Sequence, residues 1–136
     1  MITVELAARL KAAGLVWKPV AGDRFVIADR DMDSEVFVVS ELTIEVQETP
    51  SGPHIRFNGT TEWALDSIEQ DDAVWLPRED QLREALGPAF SALEPVGDGM
   101  AVTITVDDRT GKRSDRHVDT DAERAYARAL LAVLTA

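Results

Sequence analysis

The chain has 136 residues, of which 25 are acidic and 14 are basic, giving a formal net charge of −11. It contains no cysteine, which excludes disulfides, thiolate metal sites and cysteine nucleophiles. Apolar residues make up 45% of the chain and charged residues 29%, as in ordinary globular proteins. The length predicts a single domain over residues 1–136.

The excess acidic charge is concentrated in the middle of the chain. Between Asp29 and Asp80 there are fourteen acidic and three basic residues, and the remaining residues include eleven of each sign. Such a field repels phosphate, so neither nucleic acid nor an anionic membrane is expected as a partner. The acidic stretch indicates solubility or, alternatively, a face for a basic partner or a divalent cation.

The N-terminal segment has no signal-peptide pattern. Glu5 stands close to Met1, and the longest apolar run, Ala129–Leu134, is too short to cross a bilayer. A cytoplasmic protein is therefore expected.

A helix is predicted over 3–13. Thr3 suits its N-cap, and Gly14 suits the position that follows its last turn. Leu15 then stands where a Schellman motif places an apolar contact with Leu10.

The next part of the chain predicts an antiparallel meander of four strands. Alternating or continuous apolar residues and intervening turn residues define them over 24–27, 35–39, 42–48 and 54–57. The strand over 35–39 is apolar on both faces, which predicts a central strand covered on both sides.

The second half of the chain predicts helices around one hairpin. A short helix is favoured over 61–69, although Trp63 and Leu65 also fit the alternation of a strand. The remaining predictions, in chain order, are a helix over 78–86, a hairpin of 90–94 with 100–106, a loop over 109–116 that allows a short strand at 117–118, and a terminal helix.

The terminal helix begins with a predicted capping box formed by Thr120 and Glu123. Its broad apolar face needs a partner, which is either its own sheet or a second copy of the chain. The order of elements indicates an α+β fold with a mostly antiparallel sheet, formed by the meander and the hairpin and packed by the N-terminal and C-terminal helices.

Common catalytic signatures do not occur. The chain has no phosphate-binding loop, dinucleotide-binding glycine fingerprint, nucleophile elbow or zinc-binding helix motif. His54 and His117 are far apart with no ligand spacing near either, so each is expected to be a surface residue.

The strongest motif for metal binding is an acidic turn over residues 29–35. Its alternate carboxylates, which suit a hard cation such as Ca²⁺ or Mg²⁺, are Asp29, Asp31, Asp33 and Glu35. Ser34 stands where an EF-hand loop requires glycine, so only a looser cation site is compatible with the sequence. The other interpretation is a solvated turn between two strands.

Four large side chains are candidates for binding a protein partner: Trp63, Trp75, Tyr126 and Leu130. Anchoring the core is the alternative role for each of them.

Four stretches of the chain carry a family resemblance: Gly22–Phe25, Asp33–Phe37, Phe57–Ser67 and Trp75–Leu82. They resemble a small actinobacterial family in which some members are labelled "pilus assembly protein CpaE". The pilus-assembly ATPase of that name has a phosphate-binding loop, which this chain lacks, so the resemblance implies a cytoplasmic protein without that activity. It transfers no functional residue.

These observations favour a non-enzymatic protein-interaction or regulatory module, related to pilus assembly by label only. A protein partner is expected, either another protein or a second copy in a homodimer, and no cofactor. The alternative is a divalent-cation-binding domain or a cation-dependent enzyme that uses the acidic turn 29–35.

Overall fold

The described residues form two compact units, and the single domain predicted over residues 1–136 stays a prediction. The computed structural model describes residues 1–27, 36–39, 44–49, 52–57, 67–69 and 73–136. Unit 1 combines Met1–Val16 with Pro77–Ala136, and unit 2 is Trp17–Leu76.

The described elements alternate between short helices and antiparallel strands. In chain order they are α1 (Val4–Ala12), β1 (Arg24–Ile27), β2 (Phe37–Val38), β3 (Ile44–Thr49), β4 (Gly52–Phe57), β5 (Ser67–Glu69), β6 (Ala73–Leu76), α2 (Glu79–Leu86), a 3₁₀ turn (Gly87–Ala89), β7 (Phe90–Val96), β8 (Gly99–Asp108), β9 (Gly111–Asp119) and α3 (Ala122–Leu134). The fold is therefore α+β with antiparallel sheets, as predicted. None of these helices has the length and apolar character needed to cross a membrane.

The sheet of unit 1 has the order β7-β8-β9. Its first two strands confirm the predicted hairpin. The loop predicted over 109–116 is wrong from Gly111 onward, because β9 pairs with β8 along its whole length, from Gly111 opposite Asp108 to Asp119 opposite Met100. Arg109 and Thr110 form the turn between the two strands. Most side chains of β9 are exposed, and its sequence is polar and charged. It therefore lacks the apolar alternation from which a strand is predicted.

The helices of unit 1 pack around α3. This helix contacts α1, α2, β8 and β9. Tyr126 and Leu130 are each 1% exposed, and Ala125 and Ala129 are fully buried. The sequence allows two partners for the apolar face of α3, its own sheet or a second copy of the chain. In the structure this face packs against its own sheet and the neighbouring helices.

The ends of α1 follow the sequence prediction. The Thr3 hydroxyl accepts a hydrogen bond from the Leu6 N–H at 3.1 Å. Gly14 has a φ of +109°, and the Leu15 N–H donates to the Leu10 carbonyl at 3.0 Å, which is the long hydrogen bond of a Schellman motif. Neighbouring residues determine this helix, so its sequence suffices to locate it.

The start of α3 differs from the prediction by one residue. Asp121, rather than Thr120, is the N-cap, and its carboxylate accepts from the Glu123 N–H at 3.3 Å. The Thr120 hydroxyl instead accepts a hydrogen bond from Arg124 Nη2 at 2.8 Å. The predicted capping box was wrong because the arginine one turn later engages the hydroxyl that was expected to cap.

Unit 2 contains two three-stranded sheets, with orders β2-β1-β6 and β3-β4-β5. The predicted four-strand meander is not confirmed, because its strands are divided between these two sheets. The second edge of β1 is occupied by β6, which pairs antiparallel with it from Arg24 opposite Leu76 to Ile27 opposite Ala73.

The strand predicted over 35–39 is observed as the two-residue β2 and lies at a sheet edge, not at its centre. Val36 and Val38 are exposed there, whereas Phe37 and Val39 are buried. The helix favoured over 61–69 is wrong in its last three residues, which form β5; the rest of that prediction lies outside the described residues.

An aromatic cluster forms the core of unit 2. Trp17 lies with its ring centroid 5.4 Å from that of Phe25 and 6.4 Å from that of Trp75, and Phe25 stacks on Phe37. The buried Asp23 carboxylate accepts hydrogen bonds from Trp17 Nε1 at 2.9 Å and from the Val20 N–H at 3.0 Å. These bonds compensate for burying a charge beside apolar rings.

Candidate functional site

The acidic turn proposed for cation binding cannot be placed. Asp29, Asp31, Asp33 and Glu35 all lie outside the described residues. Among the residues that are described, no group of three His, Asp or Glu side chains is arranged to hold a metal ion. A Ca²⁺ or Mg²⁺ site at this turn stays a prediction.

The two tryptophan candidates have different outcomes. Trp63 lies in the part of the chain that is not described. Trp75 is half-buried and stacks on Trp17, and its buried Nε1 has no hydrogen-bond partner within the described ranges. The ring therefore serves the core of unit 2, and a role in binding a partner stays a prediction.

Tyr126 and Leu130 belong to the core of unit 1. The Tyr126 ring stacks on Phe90 at a centroid distance of 5.8 Å, and the Arg83 guanidinium lies 4.4 Å from the centroid of the Phe90 ring. Burial raises the pKa of the Tyr126 phenol. Each side chain is only 1% exposed, so both serve the core of unit 1 in this structure, and a role in binding a partner stays a prediction.

An open groove of about 620 Å³ lies in unit 1 between α1, β9 and α3. Its lining combines cationic side chains with small or apolar ones and a hydroxyl, and contains no carboxylate. The lining residues are Leu6, Arg9, Ala12, Ala13, His117, Arg128, Leu131, Ala132 and Thr135. We call this feature the cationic groove.

The cationic side chains of the groove come from three different elements. Arg9 extends from α1 and is exposed, with no ion pair to any described residue. Arg128 extends from α3 and donates through Nε to Asp119 Oδ2 at 2.9 Å. His117, expected to be a surface residue, is half-buried on β9, and its Nε2 is buried without a partner in the described part of the chain.

The Asp119 carboxylate organises the neighbouring end of α3. Its side chain is only 10% exposed and also accepts from Arg124 Nε at 2.8 Å and from the Asp121 N–H at 3.2 Å. Burial alone would raise the pKa of Asp119, but the hydrogen bonds from Arg128 and Arg124 outweigh it and hold that pKa well below its usual range. The same contact raises the pKa of Arg124.

Asp119 engages only one edge of the Arg128 guanidinium. The hydrogen bond uses Nε, and neither Nη of Arg128 bonds to a described residue. A guanidinium held in this way presents its remaining N–H groups in a fixed plane, which suits a planar oxyanion. The groove therefore supplies donors for an anion beside methyl and methylene groups.

Sequence reasoning missed this site because its residues have no local pattern. Arg9, His117 and Arg128 lie on α1, β9 and α3, and only the packing of these elements brings them to one groove. For His117, the pairing of β9 with β8 indicates a partly buried position, because it puts this residue opposite the fully buried Val102. A loop over 109–116, as the sequence predicts, is incompatible with that pairing.

Comparison with known proteins finds no match: no protein-family model fits the chain, and no curated protein or solved structure is similar to it. The actinobacterial family resemblance therefore stays a prediction, and the function has to be argued from the groove itself.

Proposed function

We propose that this chain is a non-enzymatic protein-interaction module that binds an anionic, apolar-flanked segment of a partner protein in the cationic groove. The observation that carries the proposal is the groove lining, which includes Arg9 and Arg128 and no carboxylate, in a chain with a net charge of −11. A lining without acids is unexpected in so acidic a protein, and it suits a ligand of opposite charge.

The distribution of charge between the units supports this proposal. Unit 2 contains thirteen acidic and four basic residues, for a net charge of −9, whereas unit 1 contains twelve acidic and ten basic residues, for −2. The groove therefore belongs to the nearly neutral unit, and two arginines line it.

The size and chemistry of the groove suit a short segment rather than a large interface. A volume of about 620 Å³ is within the range of sites that hold small ligands or a few residues of a peptide. Leu6 and Leu131 supply apolar walls, and Ala12, Ala13 and Ala132 are small enough to let an apolar ligand side chain approach both helices.

Self-association is less well supported than binding of a different protein. The sequence argument for a homodimer rests on the apolar face of α3, and that face is covered within unit 1 by α1, α2, β8 and β9. A homodimer through another surface stays a prediction.

The proposal is tested with two fluorescent peptides of matched apolar content. One ends in Glu-Leu-Leu with a free carboxylate, and the other ends in Lys-Leu-Leu with an amidated terminus. The net charge of the protein favours the cationic peptide, whereas the groove favours the anionic one, so fluorescence anisotropy separates the two effects.

The expected result is tighter binding of the anionic peptide and a loss of roughly tenfold or more on Arg9→Glu. Arg109→Glu is the matched control, because Arg109 is equally exposed, makes the same change in charge and does not line the groove. Preference for the cationic peptide, or equal losses in the two variants, would refute the proposal.

A further inference from the structure

The cationic groove is chemically divided along its length. The amino group of Met1 lies 3.2 Å from an Asp121 carboxylate oxygen, so α1 and α3 begin side by side, and both supply lining residues from their later turns. Leu6 precedes Arg9 by about one turn of α1, whereas Ala12 and Ala13 follow it, and Leu131 and Ala132 follow Arg128 on α3. We call Arg9 and Arg128 the cationic point of the groove. With a rise of about 1.5 Å per residue, the cationic point and the small apolar walls occupy successive levels of the groove.

We propose that the anionic group bound at this cationic point is the terminal α-carboxylate of a partner chain that ends in apolar residues. This inference rests on the proposed function and specifies its ligand. A chain end has one carboxylate directly beside an apolar side chain, which matches one cationic point beside one apolar wall. Capture of a terminal carboxylate is a recurrent mode of peptide recognition.

An internal acidic side chain fits this groove less well. Its chain continues in both directions, so peptide N–H and C=O groups on either side would lie against Leu131 and the alanines. Those groups would lose water without gaining a hydrogen bond, which is unfavourable. A chain end brings only one flanking peptide into that region.

His117 provides an independent reason for an oxyanion at this point. Its Nε2 is buried without an acceptor or donor among the described residues, although the side chain lines the groove. Because Nε2 is itself buried, a ligand oxygen reaches it only when the His117 ring turns toward the groove; in the tautomer that holds a proton on Nε2, a carboxylate oxygen then supplies the acceptor that this atom lacks. Binding would then satisfy a buried polar group that is unsatisfied in the free protein.

Asp119 acts as a positioning residue for the ligand. By accepting from Arg128 Nε at 2.9 Å, it fixes the guanidinium plane and leaves both Nη groups available to a second carboxylate. Arg9, which is held by no ion pair with the described residues, can add its own N–H groups from the opposite helix.

The test compares two peptides of equal charge. One ends in Gln-Leu-Leu with a free carboxylate, and the other ends in Glu-Leu-Leu with an amidated terminus, so one negative charge is moved from the chain end to a side chain. We expect the free acid to bind about tenfold more tightly by anisotropy. N-acetyl-leucine should displace it, whereas N-acetyl-leucinamide should not.

The variants identify the site of that preference. Arg9→Ala and His117→Ala should each reduce the difference between the two peptides, whereas Arg109→Ala should leave it unchanged. Equal affinity for the two peptides overturns this inference and leaves the proposed function standing. If neither these peptides nor the anionic Glu-Leu-Leu acid binds, the proposed function fails as well.

Discussion

Replacing Asp119 with Asn should destabilise unit 1 in a pH-dependent way. The carboxylate is 10% exposed and accepts charge-assisted hydrogen bonds from Arg124 at 2.8 Å and Arg128 at 2.9 Å. Hydrogen bonds to charged groups contribute about 1.5–3 kcal/mol each. Both arginines are partly exposed, at 30% and 49%, and water replaces the lost contacts in part. The expected loss is therefore about 2 kcal/mol at neutral pH, below the 3–5 kcal/mol typical of a fully buried pair.

The sign of the pH dependence follows from the lowered pKa of Asp119. The carboxyl has a pKa of about 3.9 in an unfolded chain, and folding lowers it. Its contribution is therefore complete above the unfolded value and is lost as pH falls below about 4 toward the folded value. The difference in unfolding free energy between the natural chain and Asp119→Asn should shrink over that range, because both proteins share every other carboxylate.

Urea unfolding followed by circular dichroism and by tryptophan fluorescence measures the stability of unit 1 and of unit 2 separately. The described helices all belong to unit 1, so their circular dichroism reports on it, whereas all three tryptophans lie in 17–76 and their fluorescence reports on unit 2. Midpoints near neutral pH and near pH 3 give the difference at each pH.

Asp115→Asn is the matched control on the same strand. Its partner Arg113 lies 3.1 Å away, and the two side chains are 32% and 55% exposed, so the loss should not exceed about 0.5 kcal/mol. The reasoning is refuted if Asp119→Asn costs no more than this control, or if its cost is the same at both pH values.

Two further substitutions test the packing of each unit. Gly99→Ala should destabilise unit 1 by about 1–3 kcal/mol in circular dichroism melts, because a Cβ there would lie 2.5 Å from a backbone oxygen of β9. Gly97→Asn is the control: Gly97 has a φ of +55° and open space around it, so this substitution should cost less than about 1 kcal/mol. Asp23→Ala should destabilise unit 2 by about 2–4 kcal/mol in urea unfolding followed by fluorescence, because Trp17 Nε1 and the Val20 N–H both lose their acceptor. Asp23→Asn retains one acceptor oxygen and should cost less.

The parts of the fold that sequence reasoning located are those determined by neighbouring residues. The N-cap of α1, its glycine end and the β7–β8 hairpin each depend on residues within a few positions of one another. The α3 cap shows the limit of this approach. Thr120 and Asp121 are both good N-cap residues; in the structure Asp121 caps the helix, and the threonine hydroxyl bonds to Arg124.

The parts that sequence reasoning missed depend on distant pairing. The apolar pattern of β1 does not identify β6 as its second neighbour, because strand order is determined by the packing of the whole sheet. The groove also depends on contacts between distant parts of the chain, because only the packing of α1 on α3 brings Arg9 and Arg128 together. Local motifs in the sequence point instead to an acidic turn and to large aromatic side chains, because each of these is recognisable without knowledge of distant contacts.

The discontinuous path of unit 1 has a consequence for the order in which the chain is completed during synthesis. Unit 2 is continuous, so all its residues have been translated once Leu76 is added. The first helix must wait for the last one, because the contact between Met1 and Asp121 spans 120 positions. Until then Leu6 and Leu10, which are 5% and 1% exposed in the folded protein, lack their covering helix. The nascent chain therefore carries this amphipathic segment without its covering helix until α3 has been translated, and such a surface is one that chaperones bind.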